Sequence, residues 1–379
     1  MPLNVGFAYN IKPESVPAGT PDDFFAEFDT ADTINGIKSA LEAYGNKVFM
    51  IEADEKAYQK LQEHKDDLDI VFNFAEGMRG DSREAHIPAM CEMLNIPYTG
   101  SKVLTMAITL DKARTKEVLI HHGVPTARFK VLRSEDDLKS VSDLRYPLFI
   151  KPVQEGSSKG ITNNSYISNS EELAVRTKEM LRRYKQPVLV EEFLQGKEFT
   201  VGVMGNEDPV VLPIVEVNFD YLPDYLNKVD SYEVKWLYDS PEFLKEHPDV
   251  EPVICPARIS KSLENEIKVV VLAAYRALDI KDWCRVDIRL DSQGHPNIIE
   301  VNAIAGLLPD PKDNSRFPKA ASAQGMSFEE LVNSVVYFGA KRYNLHEKMN
   351  FNADNVLSGR RNKISSLAKG TAKNKICAA

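Results

Sequence analysis

Asp287, Glu300 and Asn302 are the residues of this 379-residue chain whose types and spacing most directly suggest chemistry. Two alternating segments, 284–290 and 297–302, flank the turn-forming run Asp291-Ser292-Gln293-Gly294, a pattern that predicts a β-hairpin. Side chains alternate with period 2 along a strand. Arg285, Asp287 and Arg289 therefore share one face of the first strand, and Glu300 and Asn302 share one face of the second. A loop spanning 291–296 pairs Leu290 with Asn297, Asp287 with Glu300 and Arg285 with Asn302. Directly opposed residues hold their Cβ atoms roughly 4.5 to 5.5 Å apart and like charges there repel, so positive charge belongs between the two carboxylates. Two carboxylates and an amide oxygen are hard ligands of the kind Mg2+ accepts when it also carries substrate phosphates. In isolation, an ordinary hairpin with a solvated polar face would read the same way.

Three further stretches carry chemistry. The loop from Lys151 to Gly160, Lys-Pro-Val-Gln-Glu-Gly-Ser-Ser-Lys-Gly, follows a predicted buried strand, and its small residues let backbone N–H groups approach an anion. Lys151, at the strand end, can hold a phosphate. The loop lacks the spacing and the Gly-Lys-Ser/Thr ending of a Walker A sequence, and a flexible turn is the alternative. The apolar run 188–194 ends in Glu191-Glu192-Phe193-Leu194, which offers backbone groups and an apolar wall to a flat ring. Glu198, seven residues beyond Glu191, can accept bonds from a ribose. Carboxylates of an edge strand in water are the alternative for both. Lys235 falls on a mobile segment, 230–236, where a lone lysine is ordinarily solvated.

These residues need elements to position them. Over residues 1–103 strands alternate with helices: strand 3–8, helix 30–44 closed by Gly45, strands 47–51 and 68–74, and a helix 83–94 after the loop carrying Glu76-Gly77. Such alternation implies a parallel sheet with helices on its faces and ligands beyond the carboxyl ends of the strands. The Pro-rich, acidic segment 9–29 reads as a flap over that edge or as a plain surface loop. A central unit, 104–187, holds helix 112–122, strands 129–132 and 148–151, and helices from 134 and over 170–183. A third, 188–345, holds strands 188–192, 198–204 and 210–216, a long loop, helix 263–278 and the hairpin. Residues 346–379 read as a basic, disordered tail, because 358–379 holds six Lys and Arg, no acidic residue and few large apolar side chains. A solvated tail and an arm for nucleic acid or a membrane surface are both readings of it.

A 43% hydrophobic, 27% charged composition is that of a globular protein, and a net charge of −9 argues against a nucleic-acid binder. No apolar run reaches the roughly 20 residues of a bilayer span, and no signal-like segment opens the chain, so a cytoplasmic protein without a membrane partner is expected. Cys91, Cys255, Cys284 and Cys377 are scattered, as free thiols in a reducing compartment would be.

Taken in order, the motifs resemble the ATP-grasp superfamily, and within it the D-alanine–D-alanine ligase family. They are Asp111-Lys112 before a helix, Lys151-Pro152 with Glu155-Gly156-Ser157-Ser158, Glu191 with Glu198, Lys235, Arg285-Val286-Asp287, Glu300-Val301-Asn302, and Ser315 before Phe317-Pro318. The resemblance covers about residues 68 to 340. It implies an α/β protein, α+β in its ATP-binding part: an ATP-grasp fold behind an N-terminal parallel-sheet domain. It implies that Lys112 and Lys151 contact the phosphates of ATP and that Glu155, Gly156, Ser157 and Ser158 close over the γ-phosphate. Glu191, Glu192, Phe193 and Leu194 would hold adenine, and Glu198 the ribose. Asp287, Glu300 and Asn302 would hold Mg2+, with Mn2+ as an alternative. Arg285, Ser157 and Lys235 become the catalytic side chains, and Glu76, Trp236, Arg285, Gly306 and Ser315 line the substrate sites. The implied reaction is phosphorylation of a carboxylate by ATP, followed by attack of an amine on the acyl phosphate, with small amino-acid-like substrates and a homodimer as the common assembly.

Three positions depart from the family. Glu76 stands where His is usual, Trp236 where Tyr follows the mobile lysine, and Ala305 where Pro is usual. All three line the amino-acid sites rather than the nucleotide site. The expectation is an acceptor site that keeps an α-amino acid, through Arg285 and Ser315, and a donor site that prefers an amine-bearing or flatter donor over D-alanine. A ligase for a larger carboxylate and a non-catalytic nucleotide-binding protein are the competing readings.

Overall fold

A computed structural model of the chain describes residues 2–13, 15, 23 and 25–358. Strands β1 (Asn4–Tyr9), β2 (Lys47–Glu52) and β3 (Ile70–Asn73) pair in parallel in the order β2-β1-β3. Parallel neighbours need a crossover, here α1 (Ala31–Glu42) and α2 (Ala57–His64). Helix α1 starts at Thr30, whose Oγ1 accepts the N–H of Thr33 at 3.3 Å, and it buries the stripe Ile34, Ile37 and Leu41. The predicted helix 83–94 divides into a 3-10 turn, Arg83–Ala85, and α3 (His86–Leu94). Pro88 explains the division, since it has no N–H for the carbonyl of Glu84 and so ends the α-helical ladder there.

The middle of the chain contributes α4 (Val103–Leu110), α5 (Lys112–His121), β4 (Phe129–Leu132), β5 (Leu148–Pro152), β6 (Tyr166–Ile167), α6 (Ser170–Tyr184) and β7 (Val188–Glu192). These strands form an antiparallel sheet in the order β4-β7-β5-β6. The expected boundary at 187 is therefore too early. Val188 and Val190 are fully buried against α6 and Leu189 against Ala113 on the other face, with β4 and β5 as neighbours, and β7 belongs to the central unit. The helix expected from Ser134 is a 3-10 helix, Glu135–Val141.

The second half builds the larger antiparallel sheet from β8 (Glu198–Met204), β9 (Val210–Val211), β10 (Val215–Val217), β11 (Val253–Ile254), β12 (Trp283–Leu290) and β13 (Pro296–Asn302), ordered β11-β10-β8-β12-β13 with β9 against β8. The single strand expected over 210–216 breaks at Pro213, which has no N–H to give to the ladder. Helices α7 (Pro241–Glu246), α8 (Lys261–Ala277), α9 (Arg316–Ala323) and α10 (Phe328–Arg342) complete the unit. One apolar cluster joins Leu3, Phe7 and Phe72 of the parallel sheet to Trp283, Phe317 and helix α10, whereas the central sheet packs its own core around Leu148, Ile150 and Val190.

Residues 346–358 are not the tail expected there. A 3-10 turn spans His346–Lys348, and Phe351, Ala353 and Leu357 are buried in the main cluster, Phe351 with its ring 4.7 Å from that of Tyr44. Residues 359–379, which carry Cys377 and most of the basic residues, lie outside the described residues, as do 14, 16–22 and 24 of the expected flap. Among the described residues no helix is long and apolar enough to cross a membrane.

Candidate active site

In the hairpin, Arg285 pairs with Asn302, Val286 with Val301 and Asp287 with Glu300, as the spacing predicts. Beyond that point the register shifts. Ile288 pairs with Ile298, Arg289 with Asn297, and Leu290 with Pro296 rather than with Asn297, so Ile299 is bulged out. The shift has a packing reason. Ile298 and Val301 are both buried, and only an extra residue between them lets both face the core while Glu300 and Asn302 face the other way.

The polar face of the hairpin forms the floor of a cavity of about 620 Å³, and that cavity collects the predicted residues. Lys112, Lys151, Glu155, Gly156, Ser157, Ser158, Glu191, Glu192, Phe193, Leu194, Glu198, Lys235, Arg285, Asp287, Glu300, Asn302, Glu76, Gly306 and Ser315 all line it. The Trp236 side chain lies outside the described residues; its backbone is in the π-helical turn Val234–Tyr238.

The positive charge that the two opposed carboxylates require comes from the protein itself. Arg285 donates to Asp287 through Nη2 at 2.8 Å and Nε at 3.1 Å, the Asn302 amide donates to Asp287 at 3.0 Å, and Thr200 donates to the other oxygen. Lys112 Nζ lies 2.7 Å from Glu300 Oε1 and donates to the carbonyl of Glu155. Burial alone would raise the Asp287 carboxyl; Arg285 overcomes it and holds the group below the usual carboxylate range. Two carboxylates and an amide oxygen on one face are hard donors that fit Mg2+, and two carboxylates leave most of its coordination to phosphates and water.

Behind the floor is a buried three-charge cluster. Glu191 is 2.9 Å from Lys151 Nζ and 2.7 Å from Lys116 Nζ, and Lys116 also donates to Thr126 Oγ1 at 2.6 Å. Burial would push Glu191 up, yet the two lysines hold it down at about 2. Lys116 is 1% exposed and its own pKa is lowered by burial. It was missed in the sequence, although four residues separate it from Lys112 and one face of a helix carries both.

Farther along, the end of β7 forms an apolar slot from Phe149 and Phe193, whose rings lie 6.1 Å apart, with the Arg289 guanidinium 4.6 Å over Phe193. Glu198, expected to accept bonds from a ribose or else to stand in water on an edge strand, lies on β8 between β10 and β12. It is buried against Arg289 Nη1 at 2.8 Å, and burial raises it to about 7. Arg289, another residue missed, also donates to the carbonyls of Leu194 and Lys228. Glu192 likewise is engaged, with Arg128 at 3.0 Å.

The loop after β5 is held under strain. Ser157 and Ser158 have φ of +48° and +59°, a left-handed conformation that non-glycine residues adopt at a cost. Ser158 Oγ donates to the carbonyl of Asp230, and the Gly156 N–H donates to Glu27 at 2.7 Å. A Cβ at Gly156 would stand 2.6 Å from that oxygen, so the close approach needs glycine. Glu27 in turn is gripped by Arg83 at 2.7 Å and approached by Lys159 at 3.6 Å. Asp230 pairs with Arg316 at 2.8 Å, directly after Ser315, whose hydroxyl caps the turn by donating to the Gly306 carbonyl at 3.2 Å. Burial lowers the Lys235 pKa, with Asp230 opposing. Arg83, Arg316 and Glu27 gave no sequence signal, since their partners are remote in the chain.

Residues 118–337 match the family model described as the D-ala D-ala ligase C-terminus. The chain is similar to the uncharacterized protein y4sG of Sinorhizobium fredii, 32% identical over 315 residues (82% of this chain, 88% of the relative). It is similar to the D-alanine–D-alanine ligases of Pelotomaculum thermopropionicum, 30% identical over 313 residues (80% and 90%), and Carboxydothermus hydrogenoformans, 32% identical over 315 residues (81% and 92%). A crystal structure of D-alanine–D-alanine ligase from Bacillus anthracis complexed with ATP superposes with a TM-score of 0.65 at 20% identity, covering 90% of this chain and 99% of that one, a likeness of fold.

Proposed function

From the premise that this chain belongs to the D-alanine–D-alanine ligase family of ATP-grasp enzymes, ADP-forming carboxylate–amine ligases, we propose that it joins a carboxylate donor to an amino-acid acceptor at the cavity described above. The observation that carries the reading is the register that sets Asp287 opposite Glu300 inside the same cavity as Lys112, Lys151 and Arg285. Adenine enters the slot of Phe149 and Phe193 beside the Glu192-Phe193-Leu194 backbone. The triphosphate runs past Lys151 toward Lys112, each lysine exchanging part of its carboxylate contact for phosphate oxygens. Glu191 keeps Lys151 charged: burial would lower that lysine's pKa, and the carboxylate keeps it raised. Asp287, Glu300 and Asn302 would hold Mg2+, which when bound supplies charge neutralisation at the β- and γ-phosphates.

The loop Glu155–Gly160 and the segment bearing Lys235 cover the transferring phosphoryl group and keep water from the acyl phosphate. Arg285, directly opposite Asn302 on the floor, faces the oxygens that gain charge when the amine attacks. Beside it, Ser315 offers a hydroxyl to the acceptor carboxylate, and a guanidinium with a hydroxyl suits a carboxylate. The test is product analysis with Mg2+, ATP and amino-acid pairs. ADP and phosphate are expected in equal amounts with the amide product; AMP and pyrophosphate would refute the mechanism.

A further inference from the structure

The wall of the cavity opposite the nucleotide slot carries more acid than the protein neutralises. Glu27 and Glu155 on that wall are matched: Glu27 by Arg83 and the Gly156 N–H, Glu155 by Lys159 at 2.6 Å and by Gln186 at 2.8 Å. Glu76 and Glu84 are not. Both line the cavity, and neither has a hydrogen bond or ion pair among the described residues. The backbone fixes them side by side. Gly77, with φ of +80°, packs so closely on the carbonyl of Arg83 that a Cβ would stand 2.4 Å from its oxygen, and its N–H is held by Asn10 Oδ1 at 2.8 Å. Glu76 and Glu84 each adjoin one partner of this contact. Arg83 acts on both without contact, and Lys112 on Glu84, but neither offsets their burial, so the two carboxylates are costly to charge unless something positive arrives from the cavity.

Resting on the ligase reading above, we propose that the carboxylate donor is a cationic amino acid, whose ammonium or guanidinium group binds between Glu76 and Glu84. An alkylammonium or guanidinium needs only two acceptors at hydrogen-bond distance and carries its own stem across the space toward the phosphates. Lys112 and Glu300 act on Glu84 as well, so its charge is linked to that of the phosphoryl-transfer floor. Burial first and Glu84 next raise Glu76 well above the ordinary carboxylate range against the charge of Arg83; a bound cation would recharge it.

The full chain with Mg2+ and ATP would be assayed for phosphate release and, by mass, for dipeptide. Lysine, ornithine and arginine in both enantiomers would be compared as donors with norleucine and alanine, against fixed acceptors. At least tenfold higher kcat/KM is expected for lysine than for norleucine, its near-isostere without charge. Glu76→Gln and Glu84→Gln should each reduce that ratio about tenfold while folding as the parent does, since each replaces an unpaired carboxylate by a neutral side chain of the same shape. Equal turnover of norleucine and lysine would overturn the inference and leave the ligase reading standing. Release of no phosphate with any donor would instead count against the ligase reading. In that event calorimetric titration of lysine and norleucine into the chain loaded with Mg2+ and a non-hydrolysable ATP analogue still decides the cation site, which equal affinities would refute.

Discussion

Replacing Lys116 by Met should cost far less stability than replacing Glu191 by Gln, although the two residues share an ion pair. Glu191 is held at about 2 against an ordinary 4.5. At about 1.4 kcal/mol per unit this is about 3 kcal/mol, the net of a burial penalty and of the attraction of two lysines at 2.7 and 2.9 Å. Lys116→Met removes roughly half of it and relieves the burial penalty that lowers the Lys116 pKa, so we expect a loss of about 1 to 2 kcal/mol. Glu191→Gln leaves two buried cations without a carboxylate, the situation that costs about 3 to 5 kcal/mol. Urea unfolding of the nucleotide-free protein measures both. Function should separate them further. In Lys116→Met, Lys151 becomes the only partner of Glu191 and parts from it less readily, so KM for ATP should rise several-fold with kcat nearly kept. Equal destabilisation by the two substitutions, or a KM for ATP unchanged in Lys116→Met, would refute the shared-carboxylate account.

Asp287→Ala and Glu300→Ala should each lower kcat on the order of 10²-fold or more, because each empties half of the paired-carboxylate floor and frees Arg285 or Lys112 from its partner. Near-parental turnover in both would remove the floor from the mechanism. The nucleotide-free protein should lose stability from pH 5 to pH 8. Asp29 and Glu198 are raised to about 7, chiefly by burial, so the folded state holds protons that the unfolded chain has released. Their contribution is complete below about pH 4 and is lost as pH rises through 7, up to ~3 to 4 kcal/mol each. Glu191, depressed to about 2, runs the other way: its contribution is present above 4.5 and lost only as pH falls through 2. Denaturant midpoints that climb from pH 5 to 8 would contradict these signs.

Why the site was largely legible, and its support was not, follows from the range of the interactions. The hairpin could be read because alternation and turn residues are local, and local spacing fixed the pairing of Asp287 with Glu300 through the period of the strand. The same argument failed two residues farther on, where the need to bury both Ile298 and Val301 inserted a bulge that no pattern of polarity announces. Strand β7 was found, but assigned to the wrong sheet, because which neighbours a strand takes depends on contacts about 40 to 60 residues away.

Charge balance is the least local property of all. Arg289 meets Glu198 across 91 residues and Arg83 meets Glu27 across 56, so each looks like a surface residue in its own stretch of sequence. That non-locality bears on how the enzyme works. The cations compensating the phosphate floor come from α5, β5 and β12, of which β5 packs in a core separate from the one α5 and β12 share, and each cation is already engaged with a carboxylate. On the proposed reading, nucleotide would not enter a bare positive pocket; it would compete for lysines already held in place by carboxylates. The arrangement would lower the cost of orienting the lysines at the moment of binding, at the expense of affinity, whereas the wall around Glu76 and Glu84 leaves its carboxylates without a hydrogen-bonded cation among the described residues.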